Sequence, residues 1–302
     1  MARTSRSRPS RWPRVLLALV FVLVTGYLVA WAFGKPREEH AYWSLLPESH
    51  LHVLAHAGGI GLWPDNTLTA FRGSRDLGVD VLELDIQLSA DSELVVIHDD
   101  TVDRTTDGSG PVSGFTLAEL QELDAAANWA GPDGDFPYRG TGVYVPALQE
   151  VLEEFPDTPV NIELKSQDPL MPELTCGLVR ELGRQESVMI ASFHQEQLYR
   201  FRELCPEVAT SAGPEEVRNF LILNLLGLGR ATRPQAEAFQ VPVSQGGIPI
   251  VNRILARGLK QQNVRLEVWT INEPAEMRRL QQLGVTGLIT DRPDLALELS
   301  GR

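Results

Sequence analysis

Cysteine and positive charge are both scarce in this chain. Two cysteines, Cys176 and Cys205, among 302 residues exclude a disulfide-built scaffold and a cysteine-rich zinc site, and leave open only a single bridge. Lysine and arginine number 27 against 40 acids, for a net charge of −13. Seven of those basic residues fall within residues 1–37, which hold no acid, leaving −20 for the remainder. A body that acidic argues against nucleic acid as a partner. Long apolar runs are also few. One, 15–33, reaches membrane length, whereas a second, 220–228, is too short to span a bilayer.

The 15–33 run is uncharged and follows Arg3, Arg6, Arg8, Arg11 and Arg14. Basic residues before an apolar segment place the N-terminus in the cytoplasm and the main domain outside. The expected order is a basic tail (1–14), a single transmembrane helix (15–33), a linker (34–50) and one domain (51–302). Ala30, Trp31 and Ala32 also fit a small-x-small cleavage site, so the alternative is a signal peptide and a secreted domain. The 220–228 stretch reads either as a helix buried against the domain or as an apolar patch that touches lipid.

What the chain does have is concentrated between His56 and Asp99. Glu83 and Asp85 sit two apart among Val81, Leu82, Leu84 and Ile86, so on a strand they share one face. Two carboxylates on a strand with apolar neighbours call for a cation or strong donors. A second apolar run, 94–97, follows a short polar break and reads as the return arm of a hairpin. A turn centred between Ala90 and Asp91 sets His98 opposite Glu83. One centred between Asp91 and Ser92 sets it opposite Asp85, and either register gathers the three on one side of the sheet.

Further strands are expected at 52–55, 81–86, 160–164, 188–192, 208–212, 240–244, 266–270 and 287–290. Helices are expected at 67–77, 148–155, 172–184, 195–204, 251–262 and 274–283. Eight strands with intervening helices in about 250 residues predict an α/β fold, a (β/α)8 TIM barrel. The hairpin arm and a loop-rich insertion at about 99–146 follow the second strand. Within that insertion Thr116 and Glu119 form the signature of a capping box.

Several short strings, taken in order, resemble the glycerophosphodiester phosphodiesterase family, TIM-barrel enzymes akin to the phosphatidylinositol phospholipases C. They are His56 to Gly59; Pro64, Asp65, Asn66 and Thr67; Glu83 to Asp85; His98 and Asp99; Ile162 to Lys165; Val268 to Asn272; and Gly287 to Pro293. The chain departs from the family pattern at Ala57, where an arginine that contacts phosphate is usual, and at Asp65, where glutamate is usual.

The resemblance implies hydrolysis of glycerophosphodiesters to an alcohol and glycerol phosphate through a cyclic phosphate. His56 and His98 would share general acid and base roles, since an imidazole with a pKa near 6.5 serves either way. Glu83, Asp85 and Glu163 would hold one divalent cation, Ca²⁺ or Mg²⁺, as hard oxygen donors do. Lys165, Trp269 and Asn66 would contact or order the substrate. Asp291 reads as structural, and His40, His50, His52 and His194 have no assigned role. Two alternatives remain: a lysophospholipase D or sphingomyelinase D-like enzyme acting on membrane lysophospholipids, and an inactive envelope scaffold.

Overall fold

The computed structural model describes residues 12–47 and 51–302. Most of the basic tail, and His50, lie outside the described residues. The chain runs α1 (Trp12–Phe33), β1 (His52–Ala55), α2 (Leu68–Leu77), β2 (Val81–Leu88), β3 (Leu94–Val96), α3 (Leu117–Gln121), α4 (Leu148–Glu154) and β4 (Val160–Leu164). It continues with α5 (Leu170–Glu181), β5 (Val188–Ala191), α6 (Gln195–Leu204), β6 (Ala209–Thr210), α7 (Pro214–Leu225) and β7 (Ala238–Pro242). A small hairpin, β8 (Ser244–Gln245) and β9 (Ile248–Pro249), precedes α8 (Arg253–Gln261), β10 (Arg265–Trp269), α9 (Pro274–Leu283), β11 (Gly287–Thr290) and α10 (Pro293–Leu299).

Eight strands pair in parallel in the order β6, β5, β4, β2, β1, β11, β10, β7. A parallel bridge between Ser211 and Ala238 joins the two outer strands and closes the barrel. A ninth strand of this sheet, β3, is antiparallel, an extra arm on β2. Along β2 the even residues Leu82, Leu84 and Ile86 pack outward in one apolar cluster with Phe71, Leu148 and Leu152 of α2 and α4. The odd residues Glu83, Asp85 and Gln87 therefore face the interior, as strand alternation requires. Cys176 and Cys205 form a disulfide between α5 and the end of α6.

The hairpin follows neither predicted register. Ile86 pairs with Val96 and Leu88 with Leu94, so the turn centres on Asp91 itself. Ser92 takes a left-handed φ of 63°, which adds the residue that shifts the register. Continued as a ladder, this would set His98 opposite Leu84, on the outer face. The strand ends at Val96 instead, and the chain swings His98 back to the mouth of the barrel.

The transmembrane expectation is overturned. The N-terminal stretch is helical, but among the described residues no helix is long and apolar enough to cross a membrane. The helix α1 touches the turn at Gly229–Ala231, and its Leu16, Leu17, Phe21 and Val22 are exposed. The single-pass, extracytoplasmic placement built on that span falls with it.

Residues 37–46 run across the closed end of the barrel. The Arg37 backbone N–H donates to the Gln262 carbonyl, and the Arg37 guanidinium pairs with Glu237. Tyr42, Trp43 and Leu46 are buried against Leu54, Val81, Met189 and Ile289, where they plug the base. His52 stacks on Trp43, and His40 accepts from the Tyr42 N–H; both rings serve this plug.

The 220–228 stretch divides between two environments. Phe220 of α7 is buried edge-on against Phe239, while Ile222, Leu225 and Leu226 are exposed. A helix that follows a barrel strand starts at the open end and runs back to the closed one. These exposed side chains therefore lie at the end opposite the mouth.

Candidate active site

Functional side chains of a parallel barrel gather where the strands end. Three carboxylates do so here: Glu83 and Asp85 from β2, and Glu163 from the adjacent β4, paired with Asp85 in register. One ligand oxygen from each lies within 4.8 Å of the others. Glu83 and Asp85 are 4% and 1% exposed, too dry for water to offset the crowding of negative charge. Burial first, then Asp85, pushes the Glu83 carboxyl up to about 8. Burial also raises Glu163, partly countered by Lys165. The set fits a hard divalent cation: oxygen donors only, buried, convergent and short of positive charge.

Lys165 lies just past β4, with its ammonium 3.1 Å from Asp85 and 3.2 Å from Glu163. Burial opposes its charge, but the two carboxylates outweigh that and hold its pKa above the ordinary value.

The turn after β1 is built from left-handed residues: Ala57 at φ 46°, Gly58 at 83° and Gly59 at 91°. At Gly58 a β-carbon would sit 2.7 Å from that of Ala70, so only glycine fits. This backbone aims the Ala57 N–H at Glu83, 2.7 Å away. Asn66, at φ 57°, donates to the Asp85 carboxylate at 2.9 Å and accepts the Asp85 N–H at 3.1 Å. It is buried and committed to Asp85, so it orders that carboxylate rather than meeting a substrate. Asp65, next to it, pairs with Arg104 at 3.0 Å.

Each histidine leans on a carboxylate. His56 Nδ1 is 2.6 Å from Asp291, and His98 Nδ1 is 2.7 Å from Asp99. An ionised carboxylate only accepts, so both rings donate from Nδ1 and keep Nε2 for the site. Burial lowers the His56 pKa, yet the Asp291 hydrogen bond and the charges of Glu83, Asp291 and Asp85 push it up to about 9. His56 thus feels Glu83 and Asp85, while His98 acts on Glu163. The two imidazoles therefore act on different members of the acid cluster.

Asp291, which reads as structural in the sequence, is the acceptor for His56 Nδ1. Asn272 donates to its second oxygen at 2.7 Å and accepts its N–H at 2.9 Å, which fixes the carboxylate that orients His56. Both residues lie in strings that the sequence already singled out, Val268 to Asn272 and Gly287 to Pro293. The pairing of Asp291 with His56, 235 positions away, carries no local signal.

Beside the cluster opens a cavity of about 390 Å³, lined by Gln87, His98, Asp99, Asp100, Glu163, Lys165, Phe193 and His194. His194 is held on the Lys165 carbonyl at 3.1 Å. Trp269, at the end of β10, meets exposed Phe193 edge-on with centroids 5.5 Å apart, an aromatic pair beside the cavity. The insertion forms its own small core around Val95, Val102, Val112 and Leu120. Trp129 Nε1 pins it to the Ile60 carbonyl at 2.9 Å, near His56. The predicted capping box of Thr116 and Glu119 starts α3.

A closed parallel barrel with buried carboxylates and two Nδ1-anchored imidazoles at its mouth defines an acid–base hydrolase of the TIM-barrel class. The profile of the glycerophosphoryl diester phosphodiesterase family matches residues 56–295, and this chain belongs to that family. A glycerophosphodiester phosphodiesterase of Caldanaerobacter subterraneus is 36% identical over 256 residues, covering 82% of this chain and 96% of that protein. A lysophospholipase D of Rattus norvegicus is 26% identical, covering 80% of this chain and 83% of its own length. Among solved structures, an Oleispira antarctica phosphodiesterase in complex with the product sn-glycerol-3-phosphate superposes with a TM-score of 0.68 at 26% identity. That match covers 86% of this chain and 99% of the other. The activity is that of a phosphoric diester hydrolase acting on glycerophosphodiesters.

Proposed function

We propose that Glu83, Asp85 and Glu163 hold one Ca²⁺ or Mg²⁺ ion, and that His56 and His98 move the protons of diester cleavage. A divalent cation so held offsets phosphate charge and makes a nearby hydroxyl more acidic. The observation that carries this reading is the convergence of the three carboxylates at a mouth that also holds two imidazoles, each anchored through Nδ1 on a carboxylate. In the first half-reaction a glycerol hydroxyl attacks phosphorus as one imidazole takes its proton. The bond to the leaving alcohol breaks as the other imidazole protonates it. Water then opens the cyclic phosphate with the roles reversed. Lys165 balances phosphate charge from the cavity side, and Trp269 and Phe193 form an apolar wall for the leaving group.

That wall supports a second reading, in which lysophospholipids are also cleaved, as the name of the rat relative says of that protein. The exposed side chains of 222–226 do not serve it, because they lie at the closed end.

The test is hydrolysis of glycerophosphocholine and lysophosphatidylcholine by the full chain, with and without chelator, restored by Ca²⁺ or by Mg²⁺. Chelator should abolish turnover, and His56→Ala should lower it by about 10²–10⁴-fold. Turnover that survives both treatments would refute the reading. Release of choline from the lysolipid separates the two substrate classes.

A further inference from the structure

We infer that Arg104 is a positioning residue that ties His98 to the ligand side of the mouth, an inference that rests on the proton-transfer role of His98. Its guanidinium donates through Nε to Asp99 at 2.7 Å and through a terminal nitrogen to Asp65 at 3.0 Å. The same terminal nitrogen lies 3.4 Å from the other Asp99 oxygen. Asp99 in turn accepts from His98 Nδ1. Asp65 precedes Asn66, whose amide grips Asp85 on both its carboxylate and its N–H. One side chain from the insertion thus connects the loop that sets a carboxylate ligand with the loop that sets an imidazole.

Two features require an arginine. The Asp65 carboxylate is 7% exposed, so it needs a donor. Asp99 needs a partner on the side away from His98, or the ring loses its fixed acceptor. A planar fork with several N–H groups meets both demands at once, which a single ammonium does not. Asp99 sits below its usual range because, against burial, Arg104 and His98 both donate to it.

The experiment compares Arg104→Met, Arg104→Lys and Asp65→Asn in the full chain, each checked for an unchanged fold by thermal melting. Turnover of glycerophosphocholine is split into kcat and KM, in wild-type and His98→Ala backgrounds. The ¹⁵N spectrum of the His98 ring is recorded in metal-free protein. Arg104→Met should lower kcat by about 10–100-fold, the usual effect of losing an outer partner, with KM within about threefold. Arg104→Lys should recover only part of this, and Asp65→Asn should fall between. In His98→Ala, the Arg104→Met change should add less than about twofold, because residues acting through one group are not additive. The His98 ring should lose its single Nδ1-protonated signature. A rise in KM at constant kcat, additive loss in His98→Ala, or an unchanged ring spectrum would each overturn the inference. Wild-type protein that turns over no diester would fail the functional reading instead, while the ring spectrum still decides the coupling.

Discussion

At the closed end of the barrel Glu237 takes the Arg37 guanidinium and the Thr210 N–H, while Asp80 takes Arg302 at 2.7 Å and the Val53 N–H. Glu39 takes Arg265, which in turn lies over the Trp43 ring. At the mouth three carboxylates converge on one lysine. Acids lie at both ends, but the closed end gives each its own arginine, whereas at the mouth three have one lysine among them. Charge paired internally contributes to keeping the molecule folded. Charge left over at the mouth is a standing cost in stability, kept because something from outside completes it.

The sharpest way to break that contrast is Glu83→Gln. It should lower cation affinity and diester turnover by more than about a hundredfold, since a ligand matters at least as much as its outer partners. It should also raise the melting temperature of the chelated protein at pH 8, because it removes a charge that burial and Asp85 disfavour. Calorimetric titration with Ca²⁺ and melts in chelator read the two effects. A lower melting temperature in the variant would mean that the mouth carries no such cost.

Glu267 sharpens the comparison from midway along the barrel. It is 1% exposed and accepts from Gln240 at 2.8 Å, and Gln240 also donates to Asn161. Burial pushes its pKa from 4.5 to about 7. The folded state therefore keeps a proton that the unfolded chain releases, so stability is full below pH 4.5 and falls as pH rises toward 7. Glu267→Gln should be neutral at pH 4 and stabilising by about 3 kcal/mol at pH 8. Denaturant unfolding of both proteins across pH 4–8 checks it, and parallel curves would show that Glu267 does not keep its proton.

The smallest effect belongs to the closed end. Arg37→Met should cost about 2 kcal/mol, less than a fully buried pair, because Arg37 is partly exposed and Thr210 still donates to Glu237. Turnover should stay within about twofold, as measured on the same preparation. A loss of activity there would mean that the two ends are coupled.

Much of this contrast was legible in the sequence, though unevenly. The alternation of Glu83 and Asp85 among apolar neighbours gave the interior face directly, and the spacing of apolar runs gave eight strands and most helices. The hairpin register was missed because one left-handed residue, Ser92, moves a ladder by one position, and nothing in Ser89 to Glu93 demands that conformation. Asp291 was invisible as the partner of His56 because 235 positions separate them, and Arg104 as the partner of Asp65 because 39 do. Residues 37–46 read as linker on composition, yet Tyr42 and Trp43 supply the plug. The expectation of a membrane span rested on the length and apolarity of 15–33 and on the basic residues before it.

The departure from the family pattern at Ala57 has a cost in packing as well as in chemistry. Its methyl is 1% exposed, on a left-handed backbone whose N–H is already committed to Glu83. A long cationic side chain there would have to force its way through packed neighbours without disturbing that bond. An arginine introduced at this position therefore meets a packing cost before it gains any contact with phosphate.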